Sequence, residues 1–404
     1  STVDNRLGRK PVLTEEFLAG LVVALSCIPS SISFAGIAGV NPLVGIWSCV
    51  VLGVVSSLLR GRPGLISGAA GVVVVPLAPL VASHGTQYMA AAVMLSAAMQ
   101  AVFGALKLGR FISVISDPVM SGFLNGLGFL LGVSQVKIFS SLRGAELKAA
   151  GAIALFTASI IQFLPLLTTA VPSSLVAVGL ATVISGILKL PVQTLVDLAG
   201  EETFRGGLSV LPSWTGLPGV PFSLATLKII APAAFSIAAI SMLESLLAAK
   251  VVSEAPPICE TAETNNDRVL YGNALGNAAS ALLGGFGGCG LIPQTVLNVQ
   301  SRGRGQASSL AYALCLVPAV LVGAPLVGAI PTASLAGLML AVAAGTVQWG
   351  ASARAVRAAL RPAPHRSATP WAARTAAAAL LAASLACYFV DMASGIALGV
   401  ALDR

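Results

Sequence analysis

Two glycine-rich segments carry the residues best suited to bind a ligand. The first covers 63–71 (Pro-Gly-Leu-Ile-Ser-Gly-Ala-Ala-Gly) and the second covers 284–294 (Gly-Gly-Phe-Gly-Gly-Cys-Gly-Leu-Ile-Pro-Gln). Each leads into an apolar stretch, and we predict a short extended strand in each of these segments, the third and the tenth of the chain. Non-helical backbone at membrane depth is tolerated only where it is buried in protein or lines a cavity. A helix that begins after such a segment offers free N–H groups and partial positive charge, which is the chemistry of an anion site.

The two segments hold matching positions in the two halves of the chain. Close helix packing by small residues is the competing interpretation for one segment alone. Two segments at matching positions favour a binding site whose two helix N-termini face each other near mid-membrane. The predicted ligand-binding residues are Ala69 and Ala70 in the first segment and Gly290, Leu291 and Ile292 in the second.

Glu244 is the clearest acidic residue inside a membrane helix. It lies well within the apolar stretch 224–250. A carboxylate at that depth is costly and usually functional, so Glu244 is predicted to cycle between protonated and charged forms and to couple proton movement to transport. The competing interpretation is a glutamate held only by hydrogen bonds between helices.

Two serines in the first span are the remaining candidates for ligand contact. Ser30 and Ser31 follow Pro29, which frees a backbone carbonyl, while their hydroxyls offer hydrogen bonds. Serines in membrane helices often serve packing. Their position corresponds to that of Glu244 in the other half, and we therefore include Ser30 and Ser31 in the predicted site.

Composition identifies the elements that must position these residues. The chain of 404 residues is 56% hydrophobic and 9% charged, whereas a soluble domain carries about 25% charged residues. Most of its surface must therefore face lipid, which predicts an integral membrane protein. The excess of 23 Lys and Arg over 15 Asp and Glu fits cytoplasmic loops, and without interleaved aromatic residues we expect no nucleic-acid partner.

The cysteines and histidines indicate neither a metal site nor a cofactor. Six cysteines lie mostly in apolar segments without a Cys-x-x-Cys pair, which argues against a disulfide framework and a thiolate zinc site. The two histidines, His84 and His365, have no partner that would indicate metal binding or catalysis. We expect no metal and no organic cofactor.

Apolar stretches follow one another from Phe17 to the end of the chain, and we predict about fourteen membrane segments at about 20 residues per full crossing. Seven segments per half make the second half enter from the opposite side, giving two inverted repeats. Basic residues between segments share one side if both termini are cytoplasmic. The predicted segments are 17–38, 42–59, 65–80, 87–107, 119–139, 150–170, 173–190, 224–250, 269–285, 291–301, 308–328, 333–349, 371–390 and 391–402.

The longest polar interruption divides the chain. We predict a cytoplasmic N-terminal segment (1–16), a first seven-helix repeat (17–190), an external linker (191–221) and a second seven-helix repeat (222–404). The stretch between Trp349 and Arg374 places arginines on one helical face and indicates an interfacial helix on the cytoplasmic side.

Several motifs in order resemble the SulP sulfate-permease family over essentially the whole chain. They are Phe-Leu-Ala-Gly-Leu at 17–21 with Ile-Pro-Ser-Ser-Ile-Ser-Phe-Ala at 28–35, Glu-Ser-Leu-Leu at 244–247, Gly-Gly-Cys-Gly at 287–290 through Arg-Gly-Arg at 302–304, and Asp-Met-Ala-Ser-Gly-Ile-Ala-Leu-Gly at 391–399. The resemblance implies an all-α membrane fold of two inverted seven-helix repeats, like that of uracil permeases. It also implies a core and a gate domain with an anion between them, and elevator-like transport.

The resemblance also implies a cytoplasmic STAS domain after the last helix. That domain is missing here, which suggests a truncated protein, and a homodimer would form through it. Family members often have Gln where this chain has Ser30, and sodium-coupled members have Asp and Thr at the positions that match Glu244 and Ile292. Isoleucine cannot ligate sodium, so the resemblance favours protons as the coupling ion. Pro293 stands where Gly is common, which suits the first turn of a helix.

The leading hypothesis is a proton-coupled symporter of a small anion, sulfate or a dicarboxylate such as fumarate, in a bacterial inner membrane. Alternatives with the same fold are a bicarbonate transporter, another anion exchanger or channel, and a nucleobase permease. An intramembrane enzyme is disfavoured because the chain has neither a His-Glu-x-x-His motif nor a serine with a placed base.

Overall fold

The computed structural model describes residues 13–59, 61–109, 117–140, 142–168, 172–206, 211–212, 216–254, 265–360 and 378–385. This part of the chain is almost entirely helical, with one short pair of strands. Seven of its helices are long and apolar enough to cross a membrane. The fold class is therefore an all-α membrane protein, as predicted.

The helices of the first half follow the predicted segments closely. In chain order they are α1 (Leu13–Ala38), α2 (Pro42–Leu59), β1 (Ser67–Gly68), α3 (Gly71–His84), α4 (Thr86–Ala105), α5 (Asp117–Ser134), α6 (Val136–Ser140), α7 (Gly144–Leu167) and α8 (Ser173–Ile187).

A short helix α9 (Leu195–Ala199) and a 3-10 helix (Glu201–Phe204) lie between the halves. The second half contains α10 (Leu224–Glu254), α11 (Asn266–Leu282), β2 (Cys289–Gly290), α12 (Ile292–Gln300), α13 (Gln306–Gly328), α14 (Thr332–Thr346) and α15 (Trp349–Leu360). Residues 378–385 are also helical.

The short extended strands predicted in segments 3 and 10 are present as β1 and β2. In the third segment, 65–80, residues 65–70 lie outside a helix, with β1 at Ser67–Gly68, and the helix starts at Gly71. The sequence predicted the extended backbone but not the pairing of β1 with a distant strand. The fifth predicted segment, 119–139, divides at Gln135 into α5 and α6. The predicted segment 391–402 lies outside the described residues, as do most of 371–390, His365 and the 391–399 motif.

Contacts divide the chain into two compact units, Ser1–Gly109 with Gly144–Leu338, and Arg110–Arg143 with Met339–Arg404. The second unit includes α5 and α15, which Asn125 connects. Its Oδ1 accepts from the backbone N–H of Gln348 at 2.7 Å, and its amide donates to the Ser352 hydroxyl at 2.8 Å. The predicted helix after Trp349 is present as α15, and its location at the membrane interface stays a prediction.

Small residues bring the helices of the first unit together. A Cβ at Gly53 of α2 would lie 2.8 Å from the Ala313 side chain and 3.1 Å from the ring of the fully buried Tyr312. A Cβ at Gly20 of α1 would lie 2.5 Å from the Ser308 carbonyl. Both glycines therefore permit α13 to pack closely against α1 and α2, as small residues do in membranes.

The segment between the halves is folded onto α13 and α14. The N–H of Leu195 donates to the Ile330 carbonyl at 3.0 Å. Thr194 and Asp197 form a capping box at the start of α9, where the Asp197 carboxylate accepts from the Thr194 N–H at 2.8 Å. These hydrogen bonds, the backbone one first, hold the pKa of Asp197 below its usual value.

Basic loops meet at one end of the first unit. The Asn265 N–H donates to the Gly61 carbonyl at 3.1 Å, and the Gly64 N–H donates to the Gly305 carbonyl at 3.1 Å. The Asn266 amide donates to the carbonyl of Gly109 at 3.4 Å. These contacts gather Arg62, Lys107, Arg268, Arg302 and Arg304, in agreement with their predicted location on one side.

Candidate functional site

The two glycine-rich segments meet as an antiparallel strand pair. Ser67 lies opposite Gly290 and Gly68 lies opposite Cys289. The approach requires glycine, because a Cβ at Gly288 would lie 1.9 Å from the carbonyl oxygen of Gly68. The matching positions noted in the sequence are therefore neighbours in space.

Each strand leads into a helix whose N-terminus has no side-chain cap. Ala70 precedes α3 and Leu291 precedes α12, and both have extended backbone without a side-chain hydrogen bond to the first turn. Such N-termini carry exposed N–H donors and partial positive charge. The start of α12 offers fewer free N–H groups than the start of α3. The Leu291 N–H already donates to the Ile66 carbonyl at 2.8 Å, and Pro293 has no N–H.

Two long helices flank the strand pair. Both α1 and α10 contact α3 and α12, and α10 also contacts β2. Glu244 of α10 is partly buried against β2, where its Oε2 accepts a hydrogen bond from the Cys289 thiol at 3.0 Å. The carboxyl of Glu244, the predicted proton-coupling residue, therefore lies against β2, the strand that leads into α12.

Ser30 and Ser31 lie in α1, and their hydroxyls donate hydrogen bonds to backbone carbonyls of the same helix. Ser30 donates to Cys27 at 3.1 Å and Ser31 donates to Ile28 at 3.0 Å. Ser31 is 1% exposed and also lies within hydrogen-bonding reach of the Cys49 thiol on α2. In this conformation Ser30, which is 8% exposed, is the more accessible of the two.

Ile292 contributes backbone to the site and places its side chain elsewhere. The side chain packs against an apolar cluster of Leu65, Ala248, Ala249 and Val269. The Ile292 side chain is apolar and offers no oxygen that could ligate a cation.

A buried polar network under β2 was missed in the sequence. The Ser245 hydroxyl accepts from the Gly290 N–H at 2.7 Å and from the Asn273 amide. Asn277 accepts from the Gly288 N–H at 2.7 Å and donates to the carbonyl of Gly288 at 3.2 Å. The extended backbone of this segment lacks the internal hydrogen bonds of a helix, and these side chains pair with its N–H and C=O groups instead. Two amides four residues apart in the predicted membrane segment 269–285 were the available signal, because buried amides require partners.

Among the described residues, no group of three or more His, Cys, Asp or Glu side chains could hold a metal ion. The arrangement instead offers two helix N-termini, a hydroxyl and a protonatable carboxyl. Chemically it suits an anion that binds when the nearby carboxyl is neutral.

Comparison with known proteins decides the family. The family model described as "Sulfate permease family" matches residues 13–153 and 145–360. The chain belongs to the sulfate permease family. The chain is 35% identical over 337 residues to "Putative sulfate transporter YbaR" of Bacillus subtilis, with 83% of this chain and 67% of YbaR covered. It is 30% identical to "Bicarbonate transporter BicA" of Picosynechococcus over 84% of this chain and 63% of BicA.

The fold has a solved counterpart within the family. The transmembrane domain of a cyanobacterial bicarbonate transporter BicA matches with a TM-score of 0.76 at 26% identity, over 95% of this chain and 97% of that domain. The family and fold resemblance found in the sequence is thereby confirmed, including the inverted repeats. The chain spans about two thirds of the length of its curated relatives. Those relatives are transporters and not enzymes, as expected for this chain.

Proposed function

We propose that this chain forms the membrane part of a secondary transporter that carries a small anion together with a proton. The observation that carries the proposal is the strand pair, which joins the uncapped starts of α3 and α12 and places the Cys289 thiol on the Glu244 carboxyl. The anion binds at Ala69 and Ala70 and at the Gly290–Ile292 backbone, with Ser30 beside it. Sulfate or a dicarboxylate such as fumarate is the proposed substrate.

Glu244 couples the proton to the anion by electrostatics. An ionised carboxylate beside the site repels an incoming anion, and protonation removes that repulsion. Because Cys289 donates to Oε2, the other oxygen is the position for the transported proton. Carrying a proton with the anion also reduces the net charge that crosses the bilayer.

Sodium is the less suitable coupling ion. A small hard cation requires oxygen ligands. Ile292 and Ala248, which lie at the start of α12 and one helical turn after Glu244, are both apolar members of one packed cluster. Their side chains contribute no oxygen.

The remaining features of the proposal follow the family. Transport proceeds by an elevator-like movement of the helices that hold the strand pair. The chain lies in a bacterial inner membrane with both termini in the cytoplasm, which the clustering of basic loops at one end supports.

The test is uptake of radiolabelled sulfate and fumarate into proteoliposomes under imposed pH and sodium gradients. We expect an inward proton gradient to raise uptake of one of the two anions, and a sodium gradient to have no effect. The Glu244→Gln protein should still bind the anion but lose the response to the pH gradient. The matched control is Glu146→Gln, which removes an exposed carboxylate from the first turn of α7.

Three outcomes contradict the proposal. Uptake that ignores the pH gradient excludes proton coupling, and an unchanged pH response in Glu244→Gln excludes Glu244 as the proton carrier. Uptake of both anions at the background level of empty liposomes excludes the substrate class.

Bicarbonate is the second candidate, because the solved transmembrane domain that this chain resembles belongs to a bicarbonate transporter. Bicarbonate uptake driven by a sodium gradient would favour it over the symporter of sulfate or dicarboxylate. The apolar side chains of Ala248 and Ile292 predict that such sodium dependence is absent.

A further inference from the structure

A small polar cavity borders β1, at the end of the first unit where the basic loops meet. Its lining includes Ser57, Arg62, Ser67, Arg268, Gln306 and Ser309. Its volume is about 10 Å³, which is room for about one water molecule.

The charge of the lining selects an anion. Two arginines border the cavity, and none of its lining residues is acidic. The Arg62 residue is 8% exposed, so its charge lies largely within the protein. A guanidinium in such a position donates strong charge-assisted hydrogen bonds to an anion.

A buried hydroxyl points to the same ligand. Ser67 is 1% exposed and lines the cavity, and its Oγ has no hydrogen-bond partner among the described residues. An unpaired buried polar group is costly, so a ligand that accepts this proton would stabilise the fold. Ser57 and Ser309 are different, since their protons are donated to the carbonyls of Val54 at 2.9 Å and Leu65 at 2.8 Å.

We propose that this cavity binds a single halide ion of the chloride class, held by the Ser67 hydroxyl and the guanidinium groups of Arg62 and Arg268. The exposed Arg268 and the partly buried Gln306 can adjust to the larger radius of a halide. The site is separate from the proposed substrate site, because none of the proposed substrate-binding residues lines this cavity. It does not depend on the identity of the transported anion.

Because the cavity borders β1, we expect the bound ion to regulate binding of the transported anion. Ser67 belongs to β1 and lies opposite Gly290 in the strand pair, and β1 leads through Ala69 and Ala70 to the start of α3. A halide on the Ser67 hydroxyl would therefore hold the strand that carries half of the substrate site. We expect halide at this end of the molecule to change the apparent affinity for the transported anion.

The test uses bromide as the probe on the purified chain in detergent. Thermal unfolding is measured over a bromide series, with gluconate replacing bromide so that ionic strength stays constant. We expect saturable stabilisation of the wild type. Ser67→Ala and Arg268→Gln should each raise the half-saturating bromide concentration by about tenfold or more. This is the effect of losing one hydrogen bond to a charged group.

The control is Arg302→Gln, which removes an exposed positive charge at the same end and lies outside the cavity. It should shift the bromide concentration dependence by less than about twofold, the scale of an exposed charge. Stabilisation that does not saturate, that is absent in the wild type, or that is equal in Ser67→Ala, Arg268→Gln and Arg302→Gln would overturn the proposal in favour of a bound water.

Discussion

Glu16 provides a sharp test of how the two halves are held together. It lies in the first turn of α1, is 1% exposed, and directs its carboxylate at the start of α13. The carboxylate accepts from the N–H groups of Arg304 at 2.8 Å, of Gly305 at 2.9 Å and of Ser308 at 2.9 Å. It therefore supplies the cap that α13 lacks, since Gly305 has no side chain.

Replacing Glu16 with glutamine keeps the size of the side chain and removes its charge. Only one oxygen remains, so the new NH₂ group must face either the Arg304 N–H or the Ser308 N–H. One hydrogen bond to a charged group is lost, about 1.5–3 kcal/mol, and a buried donor is left unpaired at about 1–3 kcal/mol. The favourable interaction with the positive end of α13 also disappears, up to about 2 kcal/mol. Together these contributions amount to about 2.5–8 kcal/mol, and we expect a loss of at least about 3 kcal/mol.

The assay is thermal unfolding of wild type and variant in one detergent. At about 2–4 °C per kcal/mol, the Glu16→Gln protein should unfold at least about 6 °C below the wild type. The matched control is Glu15→Gln, one residue earlier, which removes a carboxylate that is 44% exposed and pairs with Arg302 at 3.3 Å. Exposed pairs contribute about 0–1 kcal/mol, so this variant should unfold within about 4 °C of the wild type.

Equal unfolding temperatures for Glu16→Gln and the wild type would refute the reasoning. That result would mean that the side chain at 16 does not act as a charged acceptor for the start of α13. A large loss in Glu15→Gln would also contradict it, because the effect would then belong to the overall charge of this end of the molecule.

Two further predictions concern the strand pair and the linker. Gly288→Ala should abolish folding or lower the unfolding temperature sharply, because its Cβ would lie 1.9 Å from the Gly68 carbonyl oxygen. The control Gly179→Ala in α8 should be neutral or slightly stabilising, because a Cβ there meets nothing within 4 Å. Protein yield and thermal unfolding measure both effects. The lowered pKa of Asp197 means that its bond to Thr194 stabilises α9 above about pH 4, the usual aspartate value, and that this contribution is lost as the pH falls through the lowered pKa. Hydrogen exchange of 195–199 should therefore show loss of protection below about pH 4, and protection unchanged down to pH 2 would contradict the prediction.

Local features of the sequence determined the membrane class and the approximate positions of most helices. Hydropathy requires only a count of neighbouring residues, so α1, α2 and α13 were predicted to within a few residues at each end. The start of α12 was also found to within one residue, because Gly290 and Pro293 mark it locally. Glu244 stood out since a carboxyl in an apolar helix is conspicuous in any context.

Only the tertiary structure decided which groups meet. The register of Ser67 with Gly290, the thiol of Cys289 on Glu244, and the carboxylate of Glu16 on the start of α13 all join residues far apart in the chain. The short strands in segments 3 and 10 were predicted from their glycine-rich sequence, whereas their pairing with each other was not, because hydrogen bonds across such a distance leave no local signal in either segment. The sequence by itself determined where the helices are broken, since glycine and proline act on their own backbone, and the fold determined what the broken ends contact, since that depends on partners that no local pattern contains.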